Sequence, residues 1–165
     1  MIAVPATLSE RLRLGILGLA ALGIVGTTIE LVFLRHWSST LALIVWPALI
    51  ALAIAFRAVA FGPTDRRIRR ARWLALAVVV VGGLGVGVHV WANLEAGPLD
   101  QAYETTWSTM SVVEQWFLAL TGGVGPAPTL APGALAEIAF MVGLATVGHP
   151  VLRVLPDEAT APVAA

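Results

Sequence analysis

The chain contains no cysteine and no lysine, and only 12% of its 165 residues are charged. The missing cysteine excludes disulfides, thiolate metal sites, iron–sulfur clusters and cysteine nucleophiles. With no lysine, every fixed positive charge is an arginine. The alternation of polar and apolar residues that marks barrel strands is missing too. No Gly-Lys-Ser/Thr follows the glycine-rich run Gly122–Pro126, so that run is not a phosphate loop. No serine–histidine–aspartate arrangement is legible. Enzyme chemistry would need a nucleophile or a metal-bound water, and only the metal route stays open. The sequence therefore leans away from an enzyme.

What is present is apolar. Hydrophobic residues make up 58% of the chain and mean hydropathy is +0.87, far from the soluble balance of roughly half apolar and a quarter charged. Four stretches, Leu14–Leu34, Leu41–Phe61, Trp73–Ala92 and Gly133–Val151, approach or exceed the roughly 20 residues needed to cross about 30 Å of hydrocarbon. Backbone groups in lipid must bond within their own segment, so these stretches are expected as helices. The expected fold is all-α: a polytopic membrane protein built as a four-transmembrane-helix bundle. Residues 1–13 form an N-terminal segment and residues 152–165 a C-terminal tail. Arg11 and Arg13 before the first stretch resemble the start of a signal peptide. Its apolar part, however, exceeds an h-region of about 7–15 residues, and no A-x-A site follows.

Arginine placement sets the orientation. Alternating crossings put nine of the ten arginines on one side: Arg11, Arg13, Arg57, Arg66, Arg67, Arg69, Arg70, Arg72 and Arg153. The other side holds Arg35 with Glu95, Asp100, Glu104 and Glu114. Positive residues stay inside, so both termini are expected in the cytoplasm. The run Asp65–Arg72 fits this topology signal and meets acidic lipid headgroups; it is not read as a nucleic-acid patch. On the outer side, residues 96–130 carry breakers at Gly97-Pro98 and Gly122–Pro126. Between them, Tyr103–Leu120 is expected as an amphipathic helix on the membrane surface. Trp37, Trp91 and Trp107 are assigned to an outer aromatic belt, and Trp73 to the inner one.

Ionisable residues inside spans are costly and usually face a bundle interior. Glu30, His89 and Glu137 are such residues. At about 100° per residue, Glu30 shares a face with Gly23 and Gly26, His89 with Gly82, Gly85 and Asn93, and Glu137 with Gly133, Met141 and Gly148. Small residues mark close helix approaches, so all three are expected to point inward. Together with His36, Asn93 and Glu95 they are expected to form one polar layer in the outer half of the bundle. Such a layer suits a divalent metal held by Glu30, His89 and Glu137, a proton or cation path, or a small amphiphile above a polar floor. Haem ligation by His89 and His36 has weaker support. The same groups would equally serve to hydrogen-bond one another and fix helix register. His149-Pro150 is read as structural, with Pro150 ending the fourth helix and His149 meeting its dipole.

The segments Gly26-Thr27-Thr28-Ile29-Glu30-Leu31 running to His36, His89-Val90-Trp91-Ala92-Asn93-Leu94-Glu95, Ala119-Leu120-Thr121-Gly122, Leu130-Ala131-Pro132-Gly133-Ala134-Leu135-Ala136-Glu137 and His149-Pro150 resemble those of an uncharacterised family of small four-span bacterial integral membrane proteins. The resemblance implies the four-span fold and favours Glu30, His36, His89, Asn93 and Glu95 as site residues. In that family the position matching Glu137 is often an amide. Two functions are expected from the sequence. One is a binding module for a small ligand or metal ion at the outer polar layer. The other is an accessory or scaffold subunit, with a membrane-protein partner or further copies of itself docked on glycine-rich helices.

Overall fold

A computed structural model describes residues 7–152. The expected C-terminal tail from Arg153 onward and the first six residues lie outside them. Every regular element is helical: α1 (Leu8–Phe33), a single turn α2 (Thr40–Leu43), α3 (Val45–Ala60), α4 (Asp65–Ala96), α5 (Val112–Thr121) and α6 (Ala131–Leu144), with short 3₁₀ turns at Gly97–Leu99, Trp107–Thr109 and Pro150–Leu152. Two stretches, Leu8–Phe33 and Asp65–Leu99, are long and apolar enough to cross a membrane. The other two expected spans are shorter apolar helices, α3 and α6.

Local chemistry explains the boundaries. A capping box starts α1: Glu10 N–H donates to Thr7 Oγ1, and Thr7 N–H donates to Glu10 Oε2 at 2.7 Å. This places the helix start at Leu8, six residues before the apolar stretch. The chain leaves α1 through Arg35, whose positive φ of 48° turns it sharply. α3 starts at Val45 rather than Leu41, with Pro47 in its first turn, where a missing N–H is harmless. The arginine run belongs to α4: Thr64 accepts from Arg67 N–H at the N-cap, and Arg66–Arg72 occupy the first turns.

The outer segment departs from expectation. Tyr103–Leu120 is not one helix, because α5 begins at Val112 behind a second capping box between Ser111 and Glu114. Residues before it form turns that carry Trp107 inward. Trp107 is buried and lies directly on Gly97, where no side chain would fit, so it does not belong to an aromatic belt. Trp37, Trp73 and Trp91 are exposed.

α6 is central, packed between α1 and α4, while α3 packs on α4 and also touches α1 and α6. Leu52, Ile68, Val78, Ala139 and Val142 fill the interior. Glycine sets the closest approaches, as the sequence anticipates. A Cβ at Gly82 would stand 2.8 Å from both Ala136 Cβ and the Pro132 carbonyl, and one at Gly23 2.7 Å from Ile138 Cγ1. The outer surface of the bundle is apolar. Only 17% and 22% of the most apolar windows of α1 and α4 are buried, the opposite of a core helix in a soluble fold.

Candidate functional site

The expected polar layer resolves into separate local arrangements. Asn93, near the C-terminal end of α4, is completely buried. Its Nδ2 donates to the carbonyls of Ala119 (3.1 Å) and Ala127 (2.9 Å), and its Oδ1 accepts from Ala127 N–H at 2.9 Å. Ala119 belongs to the last turn of α5, whose carbonyls lack partners within the helix. Asn93 thus caps α5 and holds the loop that leads to α6. Gly125 makes this possible. Its φ of 76° suits glycine, and it lies so close to Asn93 that a Cβ would collide with the side chain. Thr129 adds a bond from its hydroxyl to the Leu120 carbonyl at 2.7 Å, and Val124 is buried beneath the loop.

His89, one turn below Asn93 on the same helix, holds the loop at a second point. Its Nδ1 lies 2.8 Å from the Pro128 carbonyl. A carbonyl only accepts, so Nδ1 carries a proton, and the tautomer this bond selects is the one whose lone pair is on Nε2. Glu95 is exposed and accepts from Trp91 Nε1–H at 2.8 Å, one turn back on α4. His36 is half-buried and engages through its backbone: its carbonyl accepts from Trp46 Nε1–H at 2.8 Å, beside the tilted Trp37–Trp46 ring pair.

Glu30 and Glu137 do not point inward. Both are exposed, and neither makes a side-chain hydrogen bond or ion pair among the described residues. The reason lies in α6. Ala136 faces Gly82 of α4 and Ile138 faces Gly23 of α1, so the residue between them is directed away from both neighbours. Gly133 and Met141 are half-buried on the flanks of that open side. Glu30 follows Gly23 by seven residues and stays near the α6 side of α1, but at its open rim. Among the described residues no group of three or more histidine, aspartate or glutamate side chains could hold a metal ion. The set Glu30, His89 and Glu137 is therefore not assembled, because Glu30 and Glu137 face out while His89 is turned to the Pro128 loop.

The end of the bundle at which α1 and α4 begin holds residues that the sequence marks only as topology signals. α6 stops at Leu144, not at Pro150. The turn after it receives two guanidinium groups. Arg13 of α1 donates from Nε to the Ala145 carbonyl (2.9 Å) and from Nη2 to that of Gly148 (3.4 Å). Arg72 of α4 donates from Nε to Thr146 Oγ1 (2.9 Å) and from Nη2 to the Thr146 carbonyl (3.0 Å). Arginine, not His149, supplies the positive charge at this helix end. His149 is buried beyond the turn, and burial followed by the charge of Arg13 lowers its pKa. The early helix end carries the signal: α6 needs donors for its last carbonyls, and both arginines precede apolar stretches that start at that end.

No family model, no curated protein and no solved structure matches this chain; its described residues form an all-α fold with two helices long and apolar enough to cross a membrane.

Proposed function

We propose that this is a four-helix integral membrane protein of the bacterial inner membrane, with both termini in the cytoplasm, that acts as an accessory subunit. It docks a helix of another membrane protein along the seam between α1 and α6. The observation that carries this reading is Glu137. It lies halfway along an otherwise apolar helix, level with the middle of α4, and is exposed. A charged group at the centre of a lipid-facing helix costs about 3 kcal/mol on insertion scales, and such groups are normally paired. Glu30 and Gly26 on the rim of α1 and Ala134 on α6 are exposed beside the same seam, where small residues admit a close partner.

Charge complementarity specifies the partner. The seam offers carboxyl groups, and the described arginines stand at the helix ends or in the turns beyond them. A second copy would set carboxyl against carboxyl, whereas a helix carrying a basic or amide side chain near mid-span would complete the bond. A photocrosslinker at Ala134 in native membranes should capture such a helix, and Glu137→Leu should abolish the capture while leaving the bundle folded. Undiminished crosslinking in Glu137→Leu, or a captured helix without a mid-span donor, overturns the proposal.

A second reading, binding of a small ligand or metal ion at the outer end, is favoured by the Nε2 lone pair of His89 in the tautomer that the Pro128 bond selects. A second bond that fixes the tautomer is the usual companion of a metal-binding imidazole. Elemental mass spectrometry of the protein from its native membrane tests it. Near-stoichiometric metal that disappears in His89→Ala supports this reading, and a metal-free wild type leaves the metal version without support.

A further inference from the structure

We propose that the inner end of α6 is a binding site for the phosphate of an anionic phospholipid headgroup, held between Arg13 and Arg72. Two guanidinium groups from two different helices are fixed on one short turn, Ala145–Gly148. Each uses two of its five N–H donors there, so three remain on each side chain. Two full positive charges face a helix C-terminus that supplies only about half a negative charge; Glu10, one turn before Arg13 on the exposed start of α1, offsets part of the remainder, and a positive excess is left. Among the described residues the one ion pair at this end is Asp65–Arg69, further out on α4. Arg13 is half-buried and Arg72 exposed, so a phosphate can approach from the Arg72 side. A phosphodiester supplies the missing anion and matches the planar donor fork of arginine.

The surroundings favour a lipid over a soluble anion. Leu14 and Trp73 follow the two arginines in sequence, Leu144 ends α6 and Val147 lies on the turn, and all are exposed. A free phosphate has no use for this apolar rim; acyl chains descending from a bound headgroup would cover it. The site differs from a diffuse basic surface because hydrogen bonds hold both guanidinium planes in place, and lipid-specific sites of this kind lie between helices at the cytoplasmic boundary.

The inference shares only the membrane placement with the docking proposal, and its test measures lipid, not partner. The full chain is purified from membranes in mild detergent and offered equal amounts of phosphatidylglycerol and phosphatidylcholine of the same chain length. Retained lipid is read by native mass spectrometry. The wild type should retain phosphatidylglycerol about tenfold over phosphatidylcholine, the ratio expected for one charge-assisted contact pair. Arg13→Gln with Arg72→Gln should bring the ratio to unity. Because that pair also loses four hydrogen bonds to the α6 turn, Arg72→Lys is the folded comparison; it keeps the charge, loses the fork and should lower the ratio severalfold. Arg66→Gln with Arg70→Gln removes the same charge elsewhere on α4 and should keep the wild-type ratio. Equal retention of both lipids by the wild type, an equal loss in the Arg66/Arg70 variant, or displacement of the lipid by millimolar inorganic phosphate overturns the proposal. Recovery of the chain in the soluble fraction sinks the membrane placement itself, before any lipid is added.

Discussion

Replacing Asn93 by alanine tests whether one amide organises the outer end of the molecule. The substitution removes three hydrogen bonds at once, to the carbonyls of Ala119 and Ala127 and from the N–H of Ala127. A buried polar group left unpaired costs about 1–3 kcal/mol, so three such groups set a range of roughly 3–9 kcal/mol. Ala127 is only half-buried and Pro126 exposed, so water can replace part of what Ala127 loses. The Ala119 carbonyl sits on a residue with no exposed surface and gains no such relief. The expected loss is therefore near the lower end, about 3 kcal/mol, and it should be concentrated locally. Hydrogen exchange should accelerate across residues 119–129, and unfolding in detergent should shift by the same amount. Gly125→Ala attacks the same contact from the other side, through its positive φ and the missing space. The two changes together should cost at least about 1 kcal/mol less than their sum, as coupled neighbours do. An Asn93→Ala protein within about 1 kcal/mol of the wild type, with unchanged exchange in the loop, refutes the assignment of Asn93 as the clamp.

Three further outcomes follow from the geometry. Gly82→Val should separate α4 from α6 and cost at least about 1–3 kcal/mol, because its Cβ would meet the Pro132 carbonyl and the Ala136 N–H, which cannot move aside; Gly83→Ala, which meets nothing within 4 Å, should be neutral or stabilising by about 0.5–1 kcal/mol in thermal unfolding. His149 has a lowered pKa in the fold, so the unfolded chain binds the proton more readily: stability should be constant above about pH 6.5 and fall with pH below it, and His149→Asn should flatten that slope in a pH series of melts. Glu114 is also held low, by hydrogen bonds from the Ser111 backbone and hydroxyl; its capping contribution is present above its unfolded pKa and lost as pH falls through the folded one. Fraying of the first turn of α5 on acidification, followed by amide exchange, should vanish in Ser111→Ala, which is frayed at every pH.

Much of the scaffold is legible in the sequence, and particular residues show where legibility stops. Long apolar runs locate α1, α3, α4 and α6 but leave their ends off by as many as eight residues, and Gly23, Gly82 and Gly85 mark true helix contacts. The same glycine argument misleads for Glu30 and Glu137. A helix has several small faces, and Gly26, Gly15 and Gly83 have no neighbour within 4 Å, so a shared glycine face does not say which side meets the bundle. Orientation around an axis depends on partner helices, which periodicity leaves open. Asn93 and His89 are recognisable as special, yet their partners are backbone carbonyls of a loop, and carbonyls leave no trace in side-chain chemistry. Trp107 looks like an anchor until Gly97 is seen beneath it. Arg13 and Arg72 are visible as charges, but their target, the end of α6, appears only when that helix stops early.

The unequal helices have a mechanical consequence. At 1.5 Å per residue, α1 and α4 measure about 39 and 48 Å, whereas α3 and α6 measure about 24 and 21 Å. A hydrocarbon layer of about 30 Å is shorter than the first pair and longer than the second. In the membrane placement proposed above, lipids beside α6 would have to shorten or tilt to meet it, giving the protein a thin sector on one flank and a full-height sector on the other. Neighbouring molecules with a matching short sector would relieve that compression by collecting there, and a thicker bilayer would strengthen the tendency. Under that placement, hydrophobic thickness would become a variable that sorts what gathers against the α1–α6 seam, independently of any side chain on it.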